Sequence, residues 1–338
     1  MKKFIVILIV FFGVGFVYLS FGELQSILET LQHGNIWFML LGLLIECGWI
    51  LVAGATVLSL YQILDLQETL YRMSLLFVAG NFISTIMPSG GMSGVVVFIS
   101  EARRNGQSTG KVTIASFLYL FLDYVAFLCV LAVGLVVLFR RNDLDATELA
   151  ASGIMLAIAA LLGFLLYLGS RSEERLGNAL ARIARVLNRI VRPFIHRNYI
   201  DESKAHDYAI ELAADLRSLP QRSQSLIKPF LFSLANKSLM MAVLTMMFLA
   251  FKVPFTAGTI IGGFSISYLF LVISPTPAGI GIVEGIMPLA LSSLHVPWSQ
   301  AIIVTLAYRG ITFWFPLGVG AWALRVLRID STAETATA

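Results

Sequence analysis

Six uninterrupted apolar runs, at roughly 4–21, 36–58, 112–139, 151–169, 229–251 and 299–324, decide what this chain can fold into. Each is about 18 residues or longer, enough helix to cross the ~30 Å hydrocarbon core of a bilayer. Inside lipid, every backbone N–H and C=O must be satisfied by a helix or by a closed barrel. Barrel strands alternate apolar and polar residues over ~10 positions, whereas these runs are continuous. The chain is therefore all-α, a polytopic membrane helical bundle forming a single membrane domain over 1–338. Only 13% of its residues are charged, about half the fraction usual in soluble domains.

Lys2 and Lys3 precede the first run, as in a signal peptide. That run continues to Phe21 with no small-x-small cleavage site, so 4–21 reads as a retained N-terminal helix. Cys47 and Cys129 both fall in apolar spans, which argues against a structural disulfide, a zinc site or a redox pair.

Basic residues set the orientation. The polar segment 170–228 carries eleven Lys and Arg and belongs in the cytoplasm by the positive-inside rule. Counting outward, loop 140–150 is external and 101–111, with Arg103, Arg104 and Lys111, is cytoplasmic. From the other end, Lys2 and Lys3 inside leave 22–35 outside, and that loop contains no Lys or Arg. This topology places 19 of the 24 basic residues in the cytoplasm, with both termini there and the protein a multi-pass component of the cell (cytoplasmic) membrane.

Two further apolar regions, 75–100 and 256–294, must then enter and leave on the same face. Leu75–Met87 amounts to about 20 Å of helix, too short to span. Pro and Gly break both regions, at "PSGGMSG" (Pro88–Gly94) and at "SPTPAGIGIVEG" (Ser274–Gly285). Both read as re-entrant broken-helix hairpins. Repeat one (36–139) and repeat two (229–324) share the plan span, hairpin, span, but run in opposite directions. They flank a linking helix at 151–169, the cytoplasmic segment 170–228 and a polar tail at 325–338. Inverted-topology repeats of this kind build transporters whose sites lie near the midplane, where broken helices meet. Irregular backbone at that depth must be buried in protein or face a water-filled cavity.

The intramembrane charges follow the same division. Glu46 and Asp123 lie in repeat one, Lys237 and Arg309 in repeat two. A charge at depth costs several kcal/mol unless paired or hydrated, so cross-unit pairing is expected, with partners not assignable from sequence. Such pairs would either serve a ligand or simply lock the bundle. Glu284 follows the second break, and Glu101, after the first, is expected at the cytoplasmic surface.

The stretch "SPTPAGIGIVEG" followed by "LAYRGITFWFPLGVG" (Leu306–Gly320) resembles the lysylphosphatidylglycerol synthase/flippase transmembrane family. The positions that carry the resemblance are Pro275, Pro277, Gly279, Gly281, Glu284, Gly285, Tyr308, Arg309 and Pro316. In the first half they are Asn81, Pro88, Gly91, Gly94 and Asp123. The first hairpin tip departs from the family, where a more charged stretch is common. The resemblance implies movement of an anionic, aminoacylated or polyprenyl-linked lipid between leaflets. Two-part relatives carry a soluble aminoacyl-transfer domain after the membrane part. This chain ends at Ala338 and reads as the stand-alone translocase-like part, not an enzyme.

Within 175–192, Leu176, Leu180, Ile183, Leu187 and Ile190 share one helical face, flanked by arginines. That is a basic amphipathic helix suited to an anionic cytoplasmic leaflet. Alternatively it pairs with the acids Asp207, Glu211 and Asp215 of the next helix in a hairpin. Nucleic-acid binding is a poor reading, since no stacking aromatics interleave the arginines. No P-loop, dinucleotide fingerprint, metal-ligand spacing or cofactor motif occurs. Without an ATP site, transport would be passive or gradient-driven, with Asp123 or Glu284 candidates to carry a proton. The predicted site lies between the hairpin tips. Arg309 and Lys237 would face a lipid phosphate, with Asp123, Glu46, Glu284, Tyr308 and the tip residues Pro88, Gly91, Gly94, Pro275, Pro277, Gly279 and Gly281 around it. The alternative is a non-transporting partner that presents lipid to a separate synthase or glycosyltransferase.

Overall fold

The computed structural model describes residues 30–86, 94–141, 146–172, 226–274 and 276–327, with scattered positions between 174 and 185. The run 4–21, tip residues Pro88 and Gly91, Pro275, most of 175–192 and the tail from 328 lie outside the described residues.

The described residues are helical throughout, with no strand among them. In chain order the helices are α1 (Ile36–Ile63), α2 (Leu70–Ile86), α3 (Val95–Arg104), α4 (Thr109–Arg141) and α5 (Ala146–Arg171). There follow α6 (Ile227–Ala250), α7 (Ala257–Ile273), α8 (Ile282–Ser293), α9 (Trp298–Arg309) and α10 (Phe315–Leu327). Five stretches are long and apolar enough to cross a membrane: α1, α4, α5, α6 and the combined 298–327. Their outer faces carry bare apolar side chains such as Leu44, Val133, Leu156, Leu231 and Trp322, which suit a lipid solvent.

The span expected at 299–324 is not a single α-helix. Gly310–Trp314 forms a π-helical segment between α9 and α10. Such one-turn widenings shift the helical register and often occur at functional sites.

Helices α1 and α6 form the central pair. They run antiparallel: the Asn35 N–H donates to the Ala250 carbonyl at one end (2.9 Å), and the Asn236 side chain donates to the Trp49 carbonyl near the middle (3.3 Å). Helix α2 leaves from the end of this pair where α1 finishes, and α7 leaves from the end where α6 finishes. The partners α2 and α3 fold back on one another. Arg72 pairs with Glu101 at the open end, and Gly80 packs on Gly94 near the tip. In the same way α7 folds against α8, with Gly262 and Gly263 on Leu294 and Leu291 and with Leu271 on Gly279. Both interrupted regions are therefore helical hairpins, entering from opposite ends of the α1–α6 pair.

The two hairpins share several local features. Helices α2 and α7 are both 17 residues long. Pro88 and Pro275 are separated by the same number of positions as Gly94 and Gly281. Helices α1, α3, α6 and α8 all end in a residue at positive φ (Asp65, Gly106, Lys252 and His295). At each end the next N–H reaches back to a carbonyl of the last turn: Leu66 to Tyr61, Gln107 to Ala102, Val253 to Phe248 and Val296 to Leu291. This bond satisfies carbonyls that the helix end leaves orphaned.

Glu101 is buried rather than at the surface, only 3% exposed. It lies on the face of α3 that packs on α2, where Arg72 neutralises it.

Candidate functional site

Three spanning helices carry their polar residues at mid-length, and those residues face one another. Trp49 is near the middle of α1, Asp123 and Tyr124 near the middle of α4, and Asn236 and Lys237 near the middle of α6. They line a cavity of about 530 Å³, a volume typical of small-molecule sites. Residues of both hairpins, flanking their breaks, reach the same cavity. Asn81, Ser84, Thr85 and Gly94 come from the first, and Ser274, Thr276 and Ala278 from the second. Aromatic side chains frame it. Phe77 packs edge-on against both Trp49 and Tyr119, and Tyr268 packs against Phe127 and Phe264.

The Lys237 ammonium donates to the Asp123 carboxylate at 2.8 Å and to the Tyr268 hydroxyl at 2.5 Å. Tyr268 in turn donates to Asp123 at 3.3 Å. Lys237 is 1% exposed, so this triad removes a charge that would otherwise be intolerable at membrane depth. It joins the two halves of the chain, as cross-unit pairing requires.

The second tip is built on left-handed backbone. Gly279 and Gly281 have φ of 70° and 79°, which glycine adopts without cost. Ala278, at φ 48°, does so against its Cβ. Arg309 holds this turn. Its guanidinium pairs with Glu284 and donates to the Ala278 carbonyl at 3.3 Å, and it stacks 4.4 Å over the Phe313 ring. Glu284 also accepts from the Gly281 N–H at 2.7 Å, closing the start of α8. The expected cross-unit pairing does not extend to Arg309. Its partner, Glu284, belongs to the same half, because the end of α9 lies against the tip-side start of α8.

Lys237, Asp123 and Gly94 thus line the cavity, whereas Arg309, Glu284, Glu46 and Tyr308 do not. Arg309 and Glu284 instead fix the tip whose Ala278 forms part of the wall. Glu46 is fully buried, and neither carboxyl oxygen has a hydrogen-bond partner. No group of three or more metal-ligating side chains converges among the described residues. Sequence reasoning missed Tyr268, Asn236, Tyr119, Tyr124 and Trp49. Asn236 beside Lys237, and Tyr119 and Tyr124 around Asp123, are signals that were present: polar groups next to an intramembrane charge.

Residues 4–320 match the family described as the lysylphosphatidylglycerol synthase TM region. The chain belongs to that family. It is also similar to the UPF0104 membrane protein PH1989 of Pyrococcus horikoshii, with 24% identity over 331 residues, covering 95% of this chain and 96% of the relative. The family match contains every described element of the cavity, both hairpins included.

Proposed function

We propose that this family member is a lipid translocator of the cell membrane that passes a phosphate-bearing lipid headgroup between leaflets through the mid-length cavity. The observation that carries the reading is that two hairpin tips, entering from opposite ends, meet at one polar, aromatic-framed cavity at the midpoints of α1, α4 and α6. The equal lengths of α2 and α7 and the similar helix ends support treating the halves as an inverted-topology pair. Such pairs expose a central site alternately to each side.

The lining suits a headgroup. Asn, Ser, Thr and Tyr groups supply donors to phosphate oxygens, and Lys237 supplies the positive charge. Gly94 and Val95 line the cavity at the start of α3, so the positive end of that helix faces it, an arrangement that favours anions. The volume holds a polar headgroup and not two acyl chains as well, so the tails stay in the bilayer. The family description names lysylphosphatidylglycerol, which supports an anionic or aminoacylated phospholipid as substrate; a polyprenyl-linked lipid would present the same phosphate chemistry. The basic stripe at 175–192 fits an anionic cytoplasmic leaflet, with both chain termini on that side. The role is transport rather than bond-making chemistry.

The test is headgroup exposure in vesicles containing purified protein and a fluorescent phosphatidylglycerol, with a membrane-impermeant quencher outside. Wild type should expose inner-leaflet headgroups, and Lys237→Met should lose this by tenfold or more while retaining its fold. Equal exposure by wild type and empty vesicles sinks the translocator reading. Lipid binding without exposure favours a protein that presents lipid to a synthase or glycosyltransferase.

A further inference from the structure

Glu46 is the buried ionisable group that the site as described leaves unused. It is 0% exposed on α1, at a depth where α1 packs against α6 and the π-helical segment. One turn earlier, Gly42 lies against Met247 of α6 and Ile311 of the π segment. Neither Glu46 oxygen has a hydrogen-bond partner, and neither does the indole N–H of Trp49 on the same face three residues on.

The charged groups on the surrounding elements are committed elsewhere. Lys237 of α6 is held by Asp123 of α4. Arg309 of α9 is held by Glu284, and Arg72 of α2 by Glu101 at the hairpin's open end. Cys47 adjoins Glu46 on α1, and Tyr308 is buried on α9. Neither supplies positive charge. An ionised carboxylate enclosed without a counter-charge or a hydrogen bond is not a stable arrangement. A neutral carboxylic acid costs far less to enclose.

We infer that Glu46 is a proton-binding site, occupied in this conformation, through which lipid movement is coupled to protons. The coupling rests on the transport reading above; the site itself does not. Its position gives it two levers. Trp49, on the same face, lines the cavity, and its carbonyl holds Asn236, which also lines it. Tyr308 of α9, buried like Glu46, directly precedes Arg309, and Arg309 fixes the Ala278 turn. Loss of the proton leaves an anion that must find a donor. On its own face the indole N–H of Trp49 is also without a partner, and Arg309 on α9 is held through Glu284 and the Ala278 turn. Movement of either one moves a wall of the cavity.

Two measurements test the inference. In detergent at neutral pH, infrared spectra of the wild-type protein should show a protonated-carboxyl C=O band that Glu46→Gln removes. Absence of the band from the wild type, or its persistence in the variant, overturns the site. In vesicles with fluorescent phosphatidylglycerol, wild-type exposure rates should change with pH by up to about tenfold per unit, the limit for one proton. Glu46→Gln, which mimics the neutral acid, should vary less than about twofold over the same range. Glu46→Asp should keep the dependence with a displaced midpoint. A wild-type pH profile in Glu46→Gln overturns the coupling. Failure of every protein to transport removes the transport reading alone, and the infrared band still decides the proton site.

Discussion

Lys237 on α6 and Asp123 on α4 meet at 2.8 Å, though 114 positions separate them in the chain. The pair ties the two halves together at the wall of the cavity. Removing one partner strands a buried charge, at a cost of about 3–5 kcal/mol, whereas replacing both with apolar groups of similar volume is often close to neutral. Asp123→Leu alone and Lys237→Met alone should each lower the thermal unfolding midpoint in detergent. The double variant should recover most of that loss while remaining inactive in the vesicle assay. A double variant no more stable than the worse single would show that the two side chains act independently.

The described spans and the paired helices of both interrupted regions were legible because they rest on run length and on Pro and Gly, which act locally along the chain. Pairing was only partly legible. Depth along a helix follows from position, but the direction in which a side chain points depends on how the helix rotates in the bundle. Cross-unit pairing is expected without assignable partners, and the structure pairs Asp123 with Lys237. Arg309 was grouped with them by depth, yet the packing of α9 on α8 turns it onto Glu284. Glu46, at similar depth, faces the α6 contact and has no partner. The π segment was hidden for another reason: the sequence "GITFW" is as apolar as its flanks and contains no proline.

Gly320 of α10 sits against α2. A Cβ there would collide with the Val78 carbonyl and come within 2.7 Å of Phe82 Cβ. Backbone cannot yield as a side-chain tip can, so Gly320→Ala should push α10 away from the first hairpin and cost about 1–3 kcal/mol. Gly318, two residues earlier, has nothing within 4 Å of the same position. Gly318→Ala should be neutral or slightly stabilising, since alanine favours helix. Thermal unfolding of the two variants side by side checks this, and equal midpoints would rule out the close approach of α10 to α2.

Arg309 uses its planar fork on Glu284 and on the Ala278 carbonyl. Lysine keeps the charge but not the fork. Arg309→Lys should therefore loosen the second tip without unfolding the bundle. A cysteine placed at Ala278, in a background with Cys47 and Cys129 replaced, should react several-fold faster with a small thiol reagent when position 309 is lysine. Unchanged reactivity would show that the turn is held by Gly281 and Glu284 without the arginine.

The two hairpins enter from opposite ends of the α1–α6 pair, and this has a direct consequence across a membrane. Gln67 lies between α1 and α2, exposed at one end of the pair. Ser299 lies at the start of α9, exposed at the other. Single cysteines at these positions should react with an impermeant maleimide from opposite faces in intact cells. If the basic residues orient the chain, position 67 reacts only after the membrane is opened and position 299 reacts from outside. Reaction of both from one face would mean that the α1–α6 pair does not span the bilayer. The meeting of the two tips would then have no bearing on passage between leaflets.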